Sequence, residues 1–333
     1  MPDSPTLYRH VIADAWRLSW RHKFLWIYGF FASILASGGV YDVIYRGWND
    51  ATVRRIFRTL PDASLPSIPA ALNSAWKTSG LAFPPLWAIA ALAVAIIVGA
   101  ALLWASVISQ GALISAGGAL RRGKTPDSRD VFRAGLARFW PVLGINFLSR
   151  FLSAVALFLT ALPVGALLLE QSPRAAILYI ISFLAFVPFA LIVALLTFFA
   201  LAAVVVGKLP FLRALTSAWA TFSRHWLVSL EMAFVILAID ILLAVAVVIG
   251  LFVLILPFAF LLLMVQLVGT KVSLLLVLVL AAIALLSFII AAGSFTSTFR
   301  YAAWTALYLR LEERGGTPKI IRLIRAIPHY LHH

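Results

Sequence analysis

The sequence predicts an all-α, polytopic integral membrane protein: a bundle of about six transmembrane helices in three hairpin repeats, with interfacial amphipathic helices. Composition supports the membrane assignment, because 63% of the 333 residues are hydrophobic and only 12% are charged. The mean hydropathy of +1.02 leaves too little polar surface for a water-soluble fold. Long apolar runs separated by basic segments support the helical bundle. We expect residues 1–333 to form a single membrane domain.

Six apolar runs are long enough, or nearly so, to cross about 30 Å of hydrocarbon as helices. In chain order they are Phe24–Val40, Leu86–Ile114, Leu143–Leu169, Ala175–Val206, Leu227–Val268 and Val272–Phe299. The first run is short, but aromatic residues at both of its ends are typical of interfacial anchors, so we interpret it as a span. A cleaved signal peptide is the alternative, because Ala36, Ser37 and Gly38 form a small-residue stretch.

The fifth run, with 42 residues, is long enough for two spans or for one long, broken span. Six spans with a cytoplasmic N-terminus place 19 Lys and Arg residues inside and 7 outside. A seventh span would nearly equalise the two sides, against the positive-inside tendency. We therefore expect Gly250 and Pro257 to form a kink or a short re-entrant element. This topology makes both termini cytoplasmic and residues 41–80 an extracytoplasmic loop.

Three short motifs recur in the same order and indicate internal repeats. One example is Gly123-Lys124-x-Pro126, which recurs as Gly207-Lys208-x-Pro210, each just after an apolar run. The predicted repeat units span approximately residues 7–118, 119–206 and 207–300, and residues 301–333 form a cytoplasmic basic amphipathic tail. Each unit consists of an approach segment and two spans.

The approach segments have an apolar, aromatic face and an opposite face that carries arginine. Helices of this kind lie in the headgroup plane, with aromatic side chains in the acyl boundary and arginine toward anionic lipid. The predicted partners are therefore membrane lipids, including anionic headgroups, and other membrane proteins. An elbow that only orients the next span is the alternative interpretation.

Ionisable residues within the apolar runs are the candidate functional residues, because each costs about 2.5–3.5 kcal/mol at mid-membrane unless it is paired or hydrated. They are Arg150, Glu231 and Asp240. We expect Arg150 and Asp240 to face the bundle interior, close enough to interact, either as a substrate or proton site or as a structural pair. Glu231 precedes Asp240 by nine residues, which is about 180° around a helix. This places Glu231 on the opposite face of the helix. A polar stripe with helical spacing accompanies Arg150: Asn146, Ser149, Arg150 and Ser153.

No cofactor, metal, nucleotide or nucleic acid is predicted. The chain contains no cysteine, and its net charge of +15 is explained by membrane topology. Residues 118–125 match the phosphate-loop pattern G-x-x-x-x-G-K-[ST]. However, a membrane helix precedes them where a strand is required, and Pro126 opposes the helix that should follow. We interpret this segment as a basic cytoplasmic turn.

The stretch from Gly123 onward, where a glycine-lysine turn leads through DVFRAGLARFWPVLG into a span, resembles a broad group of poorly characterised bacterial polytopic membrane proteins. These are similar to the membrane domain attached to some glycerophosphodiester phosphodiesterases. The resemblance covers about residues 7–310 and implies a helical bundle in a prokaryotic plasma membrane. It does not imply phosphodiesterase activity, because that enzyme is a separate soluble barrel for which this chain has no room.

These observations predict a non-enzymatic integral membrane protein that serves as a scaffold, lipid-interacting protein or accessory subunit of the plasma membrane. The alternative is a small secondary transporter with a midplane polar site, since repeated units around such a site are a transporter design. A water-reachable polar cavity at Arg150 would favour the transporter. A closed bundle with apolar outer grooves would favour the scaffold.

Overall fold

The computed structural model describes residues 7–35, 86–170, 173–268 and 270–314, which form nine helices and no strand. In chain order they are α1 Leu7–Arg21, α2 Leu25–Leu35, α3 Leu86–Arg121, α4 Ser128–Ala137, α5 Phe139–Glu170, α6 Pro173–Val205, α7 Phe211–Arg224, α8 Trp226–Val268 and α9 Lys271–Arg314. The predicted extracytoplasmic loop at 41–80, the signal-peptide alternative at 36–38 and residues 315–333 of the predicted tail lie outside the described residues.

Five of these helices, α3, α5, α6, α8 and α9, are long and apolar enough to cross a membrane. The helix α2 is apolar but shorter over its described residues. Their apolar side chains are largely exposed in the isolated chain, as expected for surfaces that face lipid. The described residues are therefore all helical between their short connections, and the chain is a multi-pass membrane protein.

The fifth apolar run forms one continuous helix, so the re-entrant element expected at Gly250 and Pro257 is absent from α8. The reason at Gly250 is packing. A Cβ atom at this position would lie 2.5 Å from the Cζ atom of Phe288, so the missing side chain lets α8 approach α9 closely. At Pro257 the chain remains helical. Membrane helices tolerate proline when neighbouring groups satisfy the backbone carbonyl that proline leaves without a donor.

Each of three short helices precedes two apolar helices that contact each other. The helix α1 precedes the α2–α3 pair, α4 precedes the α5–α6 pair, and α7 precedes the α8–α9 pair. Each short helix also packs against a helix outside the pair that comes after it in the chain. The helix α1 contacts α9, α4 contacts α3, and α7 contacts α6. The three repeat units, each an approach segment with two spans, stay a prediction.

The C-terminal half of α9 is the centre of the bundle, and α9 contacts α1, α2, α3, α6 and α8. Every residue from Tyr301 to Tyr308 is buried. The predicted boundary at residue 301, where a surface tail was expected to begin, is therefore wrong for the described part up to Arg314. The apolar and aromatic residues that follow Arg300 continue the helix and bury it among its neighbours, and one arginine does not end a span that other helices enclose.

A second close approach fixes α4 against α3. A Cβ atom on Gly135 would lie 2.3 Å from the carbonyl oxygen of Ile108, and one on Gly111 would lie 2.8 Å from the Cα atom of Gly135. The two backbones meet without side chains between them, so the sequence needs glycine on both helices. This contact holds α4 against the C-terminal half of α3.

We predict that Gly135→Ala lowers the free energy of unfolding in micelles by roughly 2 kcal/mol, because the added methyl group must push α4 away from α3. Gly99→Ala is the matched control, since a Cβ atom on Gly99 meets nothing within 4 Å. The control should leave the unfolding free energy unchanged or slightly higher. Equal losses in the two variants would contradict the close contact.

Candidate functional site

A polar cavity of about 210 Å³ lies between α3, α5, α6 and α9. It is unusual in this chain because most of its lining side chains are polar or charged within otherwise apolar helices. The polar and charged lining residues are Gln110, Asn146, Ser149, Arg150, Thr197, Ser297, Arg300 and Tyr301. Of the predicted stripe on α5, Asn146, Ser149 and Arg150 line the cavity, and Ser153 does not.

Hydrogen bonds between helices hold the cavity wall in place. The side-chain amide of Asn146 donates to Gln110 Oε1 at 2.7 Å and to the Val142 carbonyl at 2.9 Å. The Tyr301 hydroxyl interacts with the same Gln110 side chain. Gln110, Asn146 and Tyr301 are each less than 10% exposed. This buried network links α3, α5 and α9 and leaves the polar wall little freedom to rearrange.

A second link joins α5 to α6. The hydroxyl oxygen of Thr197 lies 2.8 Å from that of Ser149, and it also lies 2.7 Å from the carbonyl oxygen of Val193 one turn earlier. Both side chains are partly buried. The cavity is thus bounded by side chains whose positions are set by neighbouring helices, as a binding site requires.

Asp240 pairs with Arg300, at 2.7 Å between Oδ2 and the guanidinium nitrogen. This corrects the expected pairing, in which Arg150 was the partner of Asp240 and Arg300 counted among the cytoplasmic charges. The reason is the register of the hairpin. Asp240 and Arg300 are equally far in sequence from Thr270, at the turn between antiparallel α8 and α9, so they meet at the same height.

The pair lies well inside the apolar part of the hairpin. At 1.5 Å per residue, Asp240 is about 21 Å from the start of α8, and Arg300 is about 21 Å from the end of α9. The side chains are 20% and 33% exposed, so the pair is partly buried by protein. Mutual neutralisation is the condition for both charges to stay there.

Basic side chains outnumber acidic ones in the described lining of the cavity. Arg150 and Arg300 both line it, and its described lining includes no carboxylate, while Asp240 bonds to Arg300 from outside the lining. The Nε atom of Arg300 is buried and lacks a hydrogen-bond partner in the described structure. Arginine guanidinium groups bind carboxylates and phosphates through paired, charge-assisted hydrogen bonds. The arrangement is therefore suited to holding an anionic group.

Glu231 does not belong to this site. Its carboxylate accepts a hydrogen bond from the Tyr8 hydroxyl of α1, which is on a different side of α8 from Asp240. The separation agrees with the half-turn offset between Glu231 and Asp240. Its contact with Tyr8 connects α8 to the first amphipathic helix.

The segment that matches the phosphate-loop pattern is the C-terminal cap of α3. Gly123 has a left-handed backbone, with φ of 70°, and the Lys124 amide donates to the Ala119 carbonyl at 3.0 Å. The amides of Arg122 and Gly123 also bond to carbonyls of the last helical turn. A phosphate loop needs such amides for its ligand, and here these three amides already bond to helix carbonyls.

Five polar residues of the cavity were not predicted from the sequence: Gln110, Thr197, Ser297, Arg300 and Tyr301. Gln110 interrupts an apolar run with an amide, but the candidates were limited to ionisable residues and the polar stripe beside Arg150. Arg300 was taken as the end of the last run, although Tyr301 to Leu309 continue it with mostly apolar residues. Asp240 and Arg300 lie at equal sequence distances from the turn at Thr270, and this equality is the sequence signal that could have predicted their pairing.

No protein-family model, curated protein or solved structure matches this chain. The assignment of function therefore depends on the geometry of the cavity and on the residues that line it.

We predict that Asp240→Asn and Arg300→Gln each lower the free energy of unfolding by roughly 2–3 kcal/mol. The physical reason is that each substitution leaves an uncompensated charge among apolar helices. The expected loss is smaller than for a fully buried pair because both side chains are partly exposed. The double variant should recover part of this loss, because it leaves no charge of the pair behind. Unfolding of the four proteins in micelles measures this coupling, and strictly additive losses would contradict the pair.

Proposed function

We propose that this chain is a non-enzymatic, multi-pass protein of the plasma membrane that binds an anionic group in the cavity at Arg150 and Arg300. The observation that carries this proposal is an ordered polar cavity within apolar helices, whose described lining carries two arginines and no carboxylate. Guanidinium groups bind carboxylates and phosphates through paired, charge-assisted hydrogen bonds. Two of them around one cavity suit an anionic ligand.

Two sources of the anionic group have the same chemistry. The phosphate of an anionic lipid would make the chain a lipid-interacting protein, scaffold or accessory subunit. The side chain of Arg150 is exposed on the outside of α5, and Ala194 beside it on α6 is exposed too. An opening on that side would admit a headgroup from the surrounding bilayer.

A small secondary transporter of a soluble anion is the second candidate function. The cavity at Arg150 favours it, because a polar cavity among membrane helices is what distinguishes a transporter from a closed scaffold. The order of one amphipathic helix and two apolar helices, found three times, supports a repeat architecture of the kind transporters use.

We predict that an anionic ligand raises the melting temperature of the purified protein, because it binds only the folded state. Three probes distinguish the sources: inorganic phosphate, acetate, and nanodiscs with or without phosphatidylglycerol. Arg150→Gln should lower the affinity for the stabilising probe roughly 10- to 100-fold, since it removes charge-assisted hydrogen bonds. Arg150 is the suitable position because its replacement leaves the bond between Arg300 and Asp240 in place.

Arg174→Gln is the matched control, as it removes the same charge from an exposed position at the start of α6. It should leave the probe's effect unchanged. Stabilisation by phosphatidylglycerol alone would indicate a lipid headgroup, and stabilisation by a soluble anion with flux into proteoliposomes would indicate a transporter. No stabilisation by any probe, or equal losses in Arg150→Gln and Arg174→Gln, would contradict the proposal.

The proposed orientation has both termini and the α3–α4 connection in the cytoplasm and residues 41–80 outside. It follows from the division of basic residues, which is 18 to 7 once Arg300 is counted inside the bundle. We predict that single cysteines at Ser64 and Ser128 react from opposite sides of intact cells. The absence of native cysteine makes each label site-specific. Labelling from the same side would contradict six spans.

A further inference from the structure

A second feature lies outside the polar cavity, along the outer face of α1. A groove of about 910 Å³ follows α1 beside Val235 of α8. It combines two chemistries along one helix. Its apolar wall consists of Ile12, Ala13, Trp16, Trp20 and Val235, and its basic residues are Arg9, Arg17 and Arg21.

The aromatic wall of the groove is held in a fixed arrangement. The rings of Trp16 and Trp20 are parallel, with centroids 6.3 Å apart, and both meet the ring of Phe295 on α9 edge-on. Trp26 also contacts Phe295 and donates its indole N–H to the Ser19 carbonyl at 2.8 Å. Nevertheless Trp16 and Trp20 are 44% and 59% exposed. The protein therefore presents a rigid apolar surface outward.

The arginines of the groove are exposed and available. Arg9, Arg17 and Arg21 form no ion pair in the part of the chain that the structure describes. Arg17 and Arg21 are one helical turn apart and lie on the same side of α1. Each follows a tryptophan of the wall directly in sequence, so charge and apolar surface are adjacent.

Two carboxylates on the helices that form the groove are already engaged. Asp14 bonds to Arg310 on α9 at 2.9 Å, and Glu231 accepts a hydrogen bond from Tyr8. These contacts tie α1 to α9 and α8, and among the described residues neither carboxylate pairs with an arginine of the groove. A negatively charged ligand would complement the groove.

We propose that this groove binds one anionic phospholipid, with its phosphate at Arg17 and Arg21 and an acyl chain along Trp16 and Trp20. Tryptophan is typical of the membrane interface, where its ring meets the acyl boundary and its polar edge meets the headgroups. Basic residues near this level attract anionic lipid. A soluble anion would satisfy the arginines and leave the apolar wall exposed, whereas a phospholipid satisfies both.

The proposal is independent of the cavity at Arg150, because the two sites share no lining residue. The test uses native mass spectrometry of the full chain, released from micelles that contain either phosphatidylglycerol or phosphatidylcholine. The variant carries Arg17→Gln and Arg21→Gln together. We expect its phosphatidylglycerol affinity to fall about 30-fold, from about 1 kcal/mol per basic residue at 1.4 kcal/mol per tenfold, with phosphatidylcholine binding unchanged.

Arg129→Gln with Arg133→Gln is the matched control, since it removes two exposed charges from α4, another amphipathic helix. The control should retain phosphatidylglycerol binding, and unfolding measurements on both double variants should show intact folds. Equal losses in the two variants would show only general charge attraction and would overturn the site. An unchanged affinity in the α1 variant, or an equal loss for both lipids, would overturn it as well.

Discussion

The rest of the structure depends on keeping the charge of Arg300 inside an apolar hairpin. The hairpin around it is apolar, so the guanidinium needs a partner at the same height on a neighbouring helix. Asp240 is that partner because both residues are equally far from the turn at Thr270, where Thr270 and Ser273 exchange hydrogen bonds that begin α9. The pair thus fixes the register of α8 against α9, and α9 in turn positions the helices that surround its C-terminal half.

The cavity is a consequence of this register. It brings Arg300 and Tyr301 beside the polar face of α5, where Gln110 and Asn146 complete a buried network. The pair of Asp240 and Arg300 is neutral overall and serves the register of the hairpin. Arg150 adds a second guanidinium to the lining of the cavity, and this second group is the one that we propose contacts a bound anion.

Sequence patterns predict the fold class well, because hydropathy over twenty residues reports which segments avoid water. They also predict the polar stripe on α5, since helical periodicity places Asn146, Ser149 and Arg150 on one face. They could not give the partner of Asp240, which depends on where the α8–α9 hairpin turns. They also misplaced the end of α9, because hydropathy falls at Arg300 while burial continues to Leu311. The contact of Gly111 with Gly135 depends on how two separate helices cross, which no local pattern contains.

The most direct test of this account is an experimental structure of the full chain in lipid nanodiscs that contain phosphatidylglycerol and phosphate. The account predicts that Arg300 remains bonded to Asp240 within the hydrocarbon layer, and that density for an anionic group lies between Arg150 and Arg300. A structure with Arg300 at the headgroup level, or with only apolar chains and no anion in the cavity, would contradict it.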